Sequence, residues 1–416
     1  MSKNSYLLPG EKFVIESKFD RPQSSFTDRE INDKYKRGEI RIVTEQARYP
    51  LDTIETMLDS RQGDKQKYIL NPEYQRRKRW NNTRKSRLIE SFIMNVPIPP
   101  IFLYEVDYSI YEVMDGQQRL TAIYDFYQGK FELKGLEYWR ELNGRNYDNL
   151  PEQVKRGIDR RYLSSIVLLA ETAKSQEEAE SLKRIVFERL NSGGEKLTPQ
   201  ETRNALHNGK FNQLCMELAK NDNFRKMWQL PLESEVEDLL VKSEEELKKE
   251  KQPNILTRLA SYRKMEDVEL VLRFFAYRNL KDLKSPIDEF LNEYLKQANS
   301  WSDRVLSDLE SIFKETIDLV YLVFGDEAFL PPSRLIESKT PRKSVYDPLM
   351  QVFSRNLDKK DRIIQNAEKI SQERYLKEDL LYPGKDRSLF DARYNDRKDV
   401  ESRIEYFQKF LQQCIK

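Results

Sequence analysis

Asp115, Gly116, Gln117, Gln118 and Arg119 crowd the point where an apolar strand pattern gives way to a helical one. The first turn of a helix has backbone N–H groups without intrahelical partners and carries a partial positive charge. A glycine just ahead of it lets a ligand approach the backbone, which makes an anion site. Arg119 adds a fork of donors suited to phosphate oxygens. Gln117 and Gln118 can donate to an oxyanion or hold a water. Asp115 can hold magnesium through water or accept from a ribose or a base. The same residues also fit a plain helix start, with Asp115 as the N-cap and the amides facing solvent.

Two further clusters could do chemistry. In "NPEYQRRKRW" (71–80), Arg76, Arg77, Lys78 and Arg79 form a basic run flanked by Tyr74 and Trp80. Basic residues among aromatics suit phosphate contact and base stacking, and equally a solvated charge run. In "FERLNSGGEKLTPQETRNAL" (187–206), two glycines and a capping box specify a tight loop between helices, from which Asn191 could turn into a site. Arg203 sits about one turn into the second helix.

These residues need a frame. Leu51, Ile54 and Leu58 recur at helical spacing. Asn82 or Thr83 can cap a helix to about Asn95 with Leu88, Ile89, Phe92 and Val96 on its apolar face, stopped by Pro97, Pro99 and Pro100. "IFLYEV" (101–106) and "IYEVM" (110–114) read as a hairpin around "DYS". The helix after Gly116 buries Leu120, Ile123, Tyr124 and Tyr127, with Gly129 as a left-handed cap. "YLSSIVLLAE" (162–171) is a core strand. Capping boxes begin helices at Ser175 and Thr198, the first with Leu182, Ile185, Val186 and Leu190 on one face. Strand signals then vanish, and helical patterns follow at 265–279, 303–324 and 398–415. The charge-rich stretch 233–251 reads as a solvated helix or excursion. The chain thus divides into an N-terminal extension (1–45) packing partly on the first domain, an α/β domain (46–225) and a mainly α-helical domain (226–416).

Bulk properties narrow the classes. With 72 basic and 70 acidic residues, the net charge of +2 points to no partner by itself, and local clusters must do so. No run of about 18 apolar residues exists, so no membrane helix is expected. The opening residues carry no apolar leader core, and Cys215 and Cys414 are too few and too distant for a disulfide framework; a reducing cytoplasm is expected. The chain holds one histidine, His207, so a two-histidine zinc site cannot be built from it. A surface or capping role suits His207 at an apparent helix end.

The order of "NPEYQRRKRW", "PIPPIFLYE", "EVMDGQQRLTAIYDFYQG", "FERLNSGGEKLTPQETRNAL" and "RKMEDVELVLRFFAY" resembles the successive signatures of one bacterial family, the N-terminal domain of GmrSD-type modification-dependent restriction enzymes. The core of the resemblance spans about 45–225, and its last motif extends it to about 280. It implies a ParB/sulfiredoxin-like α/β fold in which the strand–glycine–helix turn binds nucleotide phosphates, and it ties the motif to NTP binding and hydrolysis in anti-phage defence. Carried over, the catalytic motif falls on Asp115, Gln117, Gln118 and Arg119, with Gly116 against the nucleotide. Tyr74, Gln75, Arg76, Asn191, Gly193, Gly194 and Arg203 join the expected nucleotide site, and Arg77, Lys78 and Arg79 the expected nucleic-acid contact. GTP, ATP or CTP with Mg2+ are the expected cofactors. Many relatives carry a C-terminal HNH nuclease. Residues 226–416 contain no histidine, so DNA cleavage falls to a separate nuclease or effector subunit, or to a site of another type. "SRLIESKTPRKS" (333–344) is a candidate contact for DNA or a partner, and an oligomer is compatible with the chain.

Three readings stay open from the sequence. The first is an NTP-hydrolysing defence protein with DNA as a partner. The second is a non-catalytic DNA-binding regulator on the same fold. The third is a metal-dependent nuclease in its own right.

Overall fold

The apolar runs on either side of "DYS" form the hairpin their pattern predicts. A computed structural model describes residues 6–14, 27–37, 44–70, 77, 80–169, 175–190, 197–242, 244–249, 254–284, 286–331, 340–374, 389–390 and 396–416. Packing divides the chain into two units, one spanning Lys18–Thr198 with Leu240–Ser243, the other Met1–Ser17, Pro199–Leu239 and Glu244–Lys416.

In the first unit the described elements run α1 (Asp28–Arg37), β1 (Thr44–Pro50), α2 (Ile54–Asp59), β2 (Arg61–Gln62), β3 (Lys65–Gln66), β4 (Tyr68–Ile69), α3 (Asn82–Ile93), β5 (Ile101–Asp107), β6 (Ile110–Asp115), α4 (Gln117–Tyr127), α5 (Glu152–Asp159), β7 (Tyr162–Leu168) and α6 (Gln176–Leu190). Five strands form one mixed sheet in the order β1-β7-β5-β6-β4. β5 pairs antiparallel with β6 and parallel with β7, placing Leu103 opposite Val113 and Val167. These side chains and Ile101 bury one sheet face against Leu88, Ile89 and Phe92 of α3 and Leu120, Ile123 and Phe126 of α4. Each such buried side chain contributes roughly 1.5–3 kcal/mol of transfer free energy.

α3 begins one residue earlier than expected, because Asn81 caps it by accepting from Arg84 N at 2.9 Å. α4 ends as expected. Gly129 lies at φ +65°, with Gly129 N donating to Phe126 O and Lys130 N to Asp125 O. The buried face of α4 also includes Ala122 and Phe126, while Tyr124 and Tyr127 sit at its margin. The reason is the following chain, which folds back and covers α4 with Phe131 and Leu133. Tyr127 and Tyr147 both donate to Asp159 Oδ1 at 2.9 Å, which holds their rings at that margin.

The second unit is helical. Its helices Glu266–Ala276, Asp303–Phe324 and Arg397–Cys414 lie where the periodicity places them. Phe274, Phe275, Phe313 and Phe224 pack edge to face in its core. The boundary expected at 225 falls at 198/199 by packing, because Phe211, Cys215, Phe224 and Met227 bury their faces in this helical core. Segment 233–251 is also not fully solvated. It forms Glu233–Val241 and Glu244–Lys249, which bury Val236, Leu239 and Leu247.

The described N-terminal residues 6–14 belong to the helical unit and not, as expected, to the first domain. Buried Arg278 donates to both oxygens of buried Glu11 at 3.0 and 2.9 Å and to Tyr6 O at 2.6 Å. Phe13 packs on Phe290 and Tyr294. A buried pair of this kind is satisfied by its fork geometry. Among the described residues, no helix is long and apolar enough to cross a membrane.

Candidate nucleotide site

β6 passes into α4 through a single residue, Gly116, at φ +91° and ψ 8°. That left-handed conformation reverses the chain at once and suits glycine. Space demands glycine as well, since a Cβ here would lie 2.3 Å from Ile101 Cγ2. Gly116 offers no side chain to cap α4, and no residue of the first turn is acidic. The positive end of the helix is therefore left for water or an anion.

Arg119 lies one turn in, its side chain mostly buried. Its Nη2 donates to Asp115 Oδ2 at 2.7 Å and to Pro100 O at 3.2 Å. Its buried Nε has no hydrogen-bond partner among the described residues. A buried N–H left without a partner costs about 1–3 kcal/mol. Asp115 is half exposed.

The two amides do not simply project into solvent at the helix start, as the sequence suggests. Gln117 Nε2 turns back to Val113 O at 2.7 Å, and Gln118 Oε1 accepts from Trp80 N at 3.1 Å. The five-residue turn is thus a joint. It ties the end of β6, the residue before β5, and the end of the basic segment that leads into α3.

Residues 54–208 match the family model described as GmrSD restriction endonuclease, N-terminal domain. This region is a GmrSD N-terminal domain. The match runs from the first residue of α2 to just beyond the helix Pro199–Leu206, and takes in all the quoted motifs except "RKMEDVELVLRFFAY". Searches of curated proteins and of solved structures return no match.

Within the GmrSD domain, α6, which runs into the third motif, packs on β6, the strand that leads to the turn. Lys183 Nζ bonds Glu112 Oε2 of β6 at 2.5 Å and stands 5.4 Å from the Tyr104 ring centroid. Tyr104 and Glu112 are directly opposed across β5 and β6, so α6 covers the sheet face away from α3 and α4. Tyr74, Gln75, Arg76, Lys78, Arg79, Asn191, Gly193 and Gly194 lie outside the described residues.

Two of the expected site residues are placed elsewhere. Arg77 is 4% exposed, so it does not present its guanidinium to a nucleic-acid backbone from the surface. Arg203 lies in the helical unit at 1% exposure, with all five of its N–H donors engaged. Nε donates to Asn292 Oδ1, Nη1 to Gln200 Oε1 and Glu269 Oε2, and Nη2 to Asp288 Oδ1 and O. No donor remains for a phosphate, which corrects its assignment to the nucleotide site.

His207 serves a helix end, its carbonyl accepting from Asn299 Nδ2 at 2.9 Å. In the candidate contact 333–344, residues 333–339 lie outside the described residues, and Lys343 is bound to Glu269 at 2.7 Å.

Sequence reasoning missed Pro100 and Ile101 at the joint, and read Trp80 only as an aromatic beside the basic run. Trp80 and Pro100 act through backbone groups, which carry no side-chain signal. Ile101 acts by contact with a residue 15 positions away. Among the described residues, no group of three or more His, Cys, Asp or Glu could hold a metal ion.

Proposed function

We propose that the GmrSD domain binds a nucleoside triphosphate (GTP, ATP or CTP) with its phosphates over Gly116 and the first turn of α4. Hydrolysis of that nucleotide serves a bacterial anti-phage restriction system. The family description supports the restriction setting, and the ParB/sulfiredoxin-like fold that the resemblance implies would bring phosphates to this turn.

One observation carries the reading. Arg119 is held at the mouth of an uncapped helix start by Asp115 and Pro100 O, with a buried Nε unsatisfied among the described residues. A phosphate oxygen answers the uncapped helix start, and developing charge in phosphoryl transfer is stabilised by the Arg119 guanidinium beside it. With its carbonyl oxygen taken by Trp80 N, Gln118 is left its amide N–H groups for an oxygen of the phosphate or the attacking water. Magnesium would come with the nucleotide's phosphates, and Asp115 is the acidic group at the turn. DNA is the partner the basic segment suits, and its cleavage falls to a separate nuclease or effector. A turnover screen of the three nucleotides, with and without DNA, tests this. Gln118→Ala at wild-type turnover removes the hydrolytic assignment.

A second reading has an observation of its own. Gln117 and Gln118 each hold a backbone group, as in a turn built for stability alone. That favours a DNA-binding regulator that senses nucleotide or needs none. DNA affinity without nucleotide, lost when Arg76, Lys78 and Arg79 are neutralised, separates the two.

A further inference from the structure

Glu90 of α3 is a buried carboxylate that, among the described residues, is held by backbone N–H groups and by no cation. Its Oε1 accepts from Tyr138 N at 2.8 Å and Trp139 N at 2.9 Å, and its Oε2 from Glu137 N at 3.3 Å. Burying a charge is costly unless hydrogen bonds replace its water. Three successive backbone N–H groups do so here, which fixes the loop onto α3. Lys134 N donates to buried Ser86 Oγ at 2.9 Å and Leu136 N to Asn143 Oδ1 at 3.1 Å, so the loop is pinned along its length.

This rigid loop holds two aromatic rings out in solvent, Tyr138 at 73% exposure and Trp139 at 38%. Its N-terminal part lines a cleft of about 580 Å³, to which Lys130, Lys134, Asn82 and Asn143 contribute. Beneath it, α3 shows Arg84 and Arg87 to solvent; Arg87 is paired with Glu137 of the loop at 2.9 Å and Arg84 lies over the Trp80 ring, while the one acid of that helix, Glu90, is covered by the loop. Arg140 stands exposed beside the rings.

We infer that this loop and the outer face of α3 form a stacking platform for unpaired bases of single-stranded DNA. Tyr138 and Trp139 supply faces for bases, and Arg84, Lys134 and Arg140 supply phosphate contacts, with Arg87 held by Glu137. Cations around rings that are separately exposed fit a polyanion with π-faces better than an apolar protein surface, which would ask for a contiguous apolar patch. The platform does not depend on nucleotide binding at Gly116.

The test measures anisotropy of a labelled thymidine 20-mer, and of a duplex of equal length, against the full chain over a range of salt. Tyr138→Ala and Trp139→Ala are each expected to weaken single-strand binding roughly 5- to 100-fold and to leave duplex binding nearly unchanged. Trp139→Phe, which keeps a ring and the backbone N–H to Glu90, is expected to retain most of the affinity. Trp139 emission is expected to be quenched on binding, a signal absent from Trp139→Phe. Wild-type affinity in the double alanine variant overturns the inference. So does binding of duplex alone, or capture of a protein by this loop with no affinity for the single strand.

Discussion

The backbone N–H of Trp80 donates to Gln118 Oε1 at 3.1 Å across 38 positions of sequence. This bond joins Trp80, which ends the basic segment, to the first turn of the helix after Gly116. Asn81, the next residue, caps α3, and Arg84 stands 4.6 Å from the Trp80 ring centroid. Trp80 is therefore fixed on both sides.

Gln118→Ala removes the acceptor and is expected to speed amide hydrogen exchange at Trp80 by about fivefold, the worth of one net hydrogen bond of roughly 1 kcal/mol. Gln118→Glu keeps an oxygen for the bond and is expected to keep the protection. Equal exchange in wild type and the alanine variant would show that the bond does not hold the segment.

Gly116→Ala forces a methyl against Ile101 and an L-residue into a left-handed turn. Overpacking costs roughly 1–3 kcal/mol and the conformation about 1 kcal/mol more. Urea unfolding of the α/β unit is expected to shift by about 2–4 kcal/mol, with loss of nucleotide binding.

Arg203→Ala leaves Glu269 and Asp288 without their fork and is expected to destabilise the helical unit by about 3–5 kcal/mol. Nucleotide affinity of the folded variant is expected to stay within about twofold of wild type, a factor worth under about 0.5 kcal/mol. A selective loss of affinity without loss of stability would return Arg203 to the site.

Burial raises the Glu269 carboxyl, but Lys343 bonded to it, with Arg273 and Arg203 near, brings it below its ordinary value. Its folded pKa is thus lower than its unfolded one. The stability it contributes is present above the unfolded value and is lost as pH falls through the folded one. Acid titration of the helical unit is expected to show a steeper loss in wild type than in Glu269→Gln, which lacks this proton uptake. Parallel acid limbs would contradict this.

Much of this architecture is legible in local pattern. Leu120 and Ile123 mark α4, helical periodicity marks the long helix Asp303–Phe324, and the Asp107–Ser109 turn marks a hairpin, because each signal lies within one element. What required the structure depends on partners distant in sequence. Glu11 and Arg278 are 267 positions apart, and neither announces the other. The helices from Pro199 to Met227 have apolar faces that fit either core, and their contacts decide the boundary. At the site, Gly116 is legible as a glycine before a helix. Arg203 was misread because a capping-box loop looks like a site, while its five hydrogen bonds point into a helical core. The tie from Gln118 to Trp80 is invisible in sequence, since its donor is backbone.

Calorimetric titration of the wild-type chain and Arg119→Ala with GTP, ATP and CTP in the presence of magnesium tests the central claim most directly. One nucleotide is expected to bind the wild type, and the variant, which keeps the exposed turn but loses the fork to phosphate, is expected to bind it roughly 10- to 100-fold more weakly, the worth of a charge-assisted contact of about 1.5–3 kcal/mol. Equal affinity in the two proteins, or no binding of any of the three by the wild type, would contradict a nucleotide site at this turn.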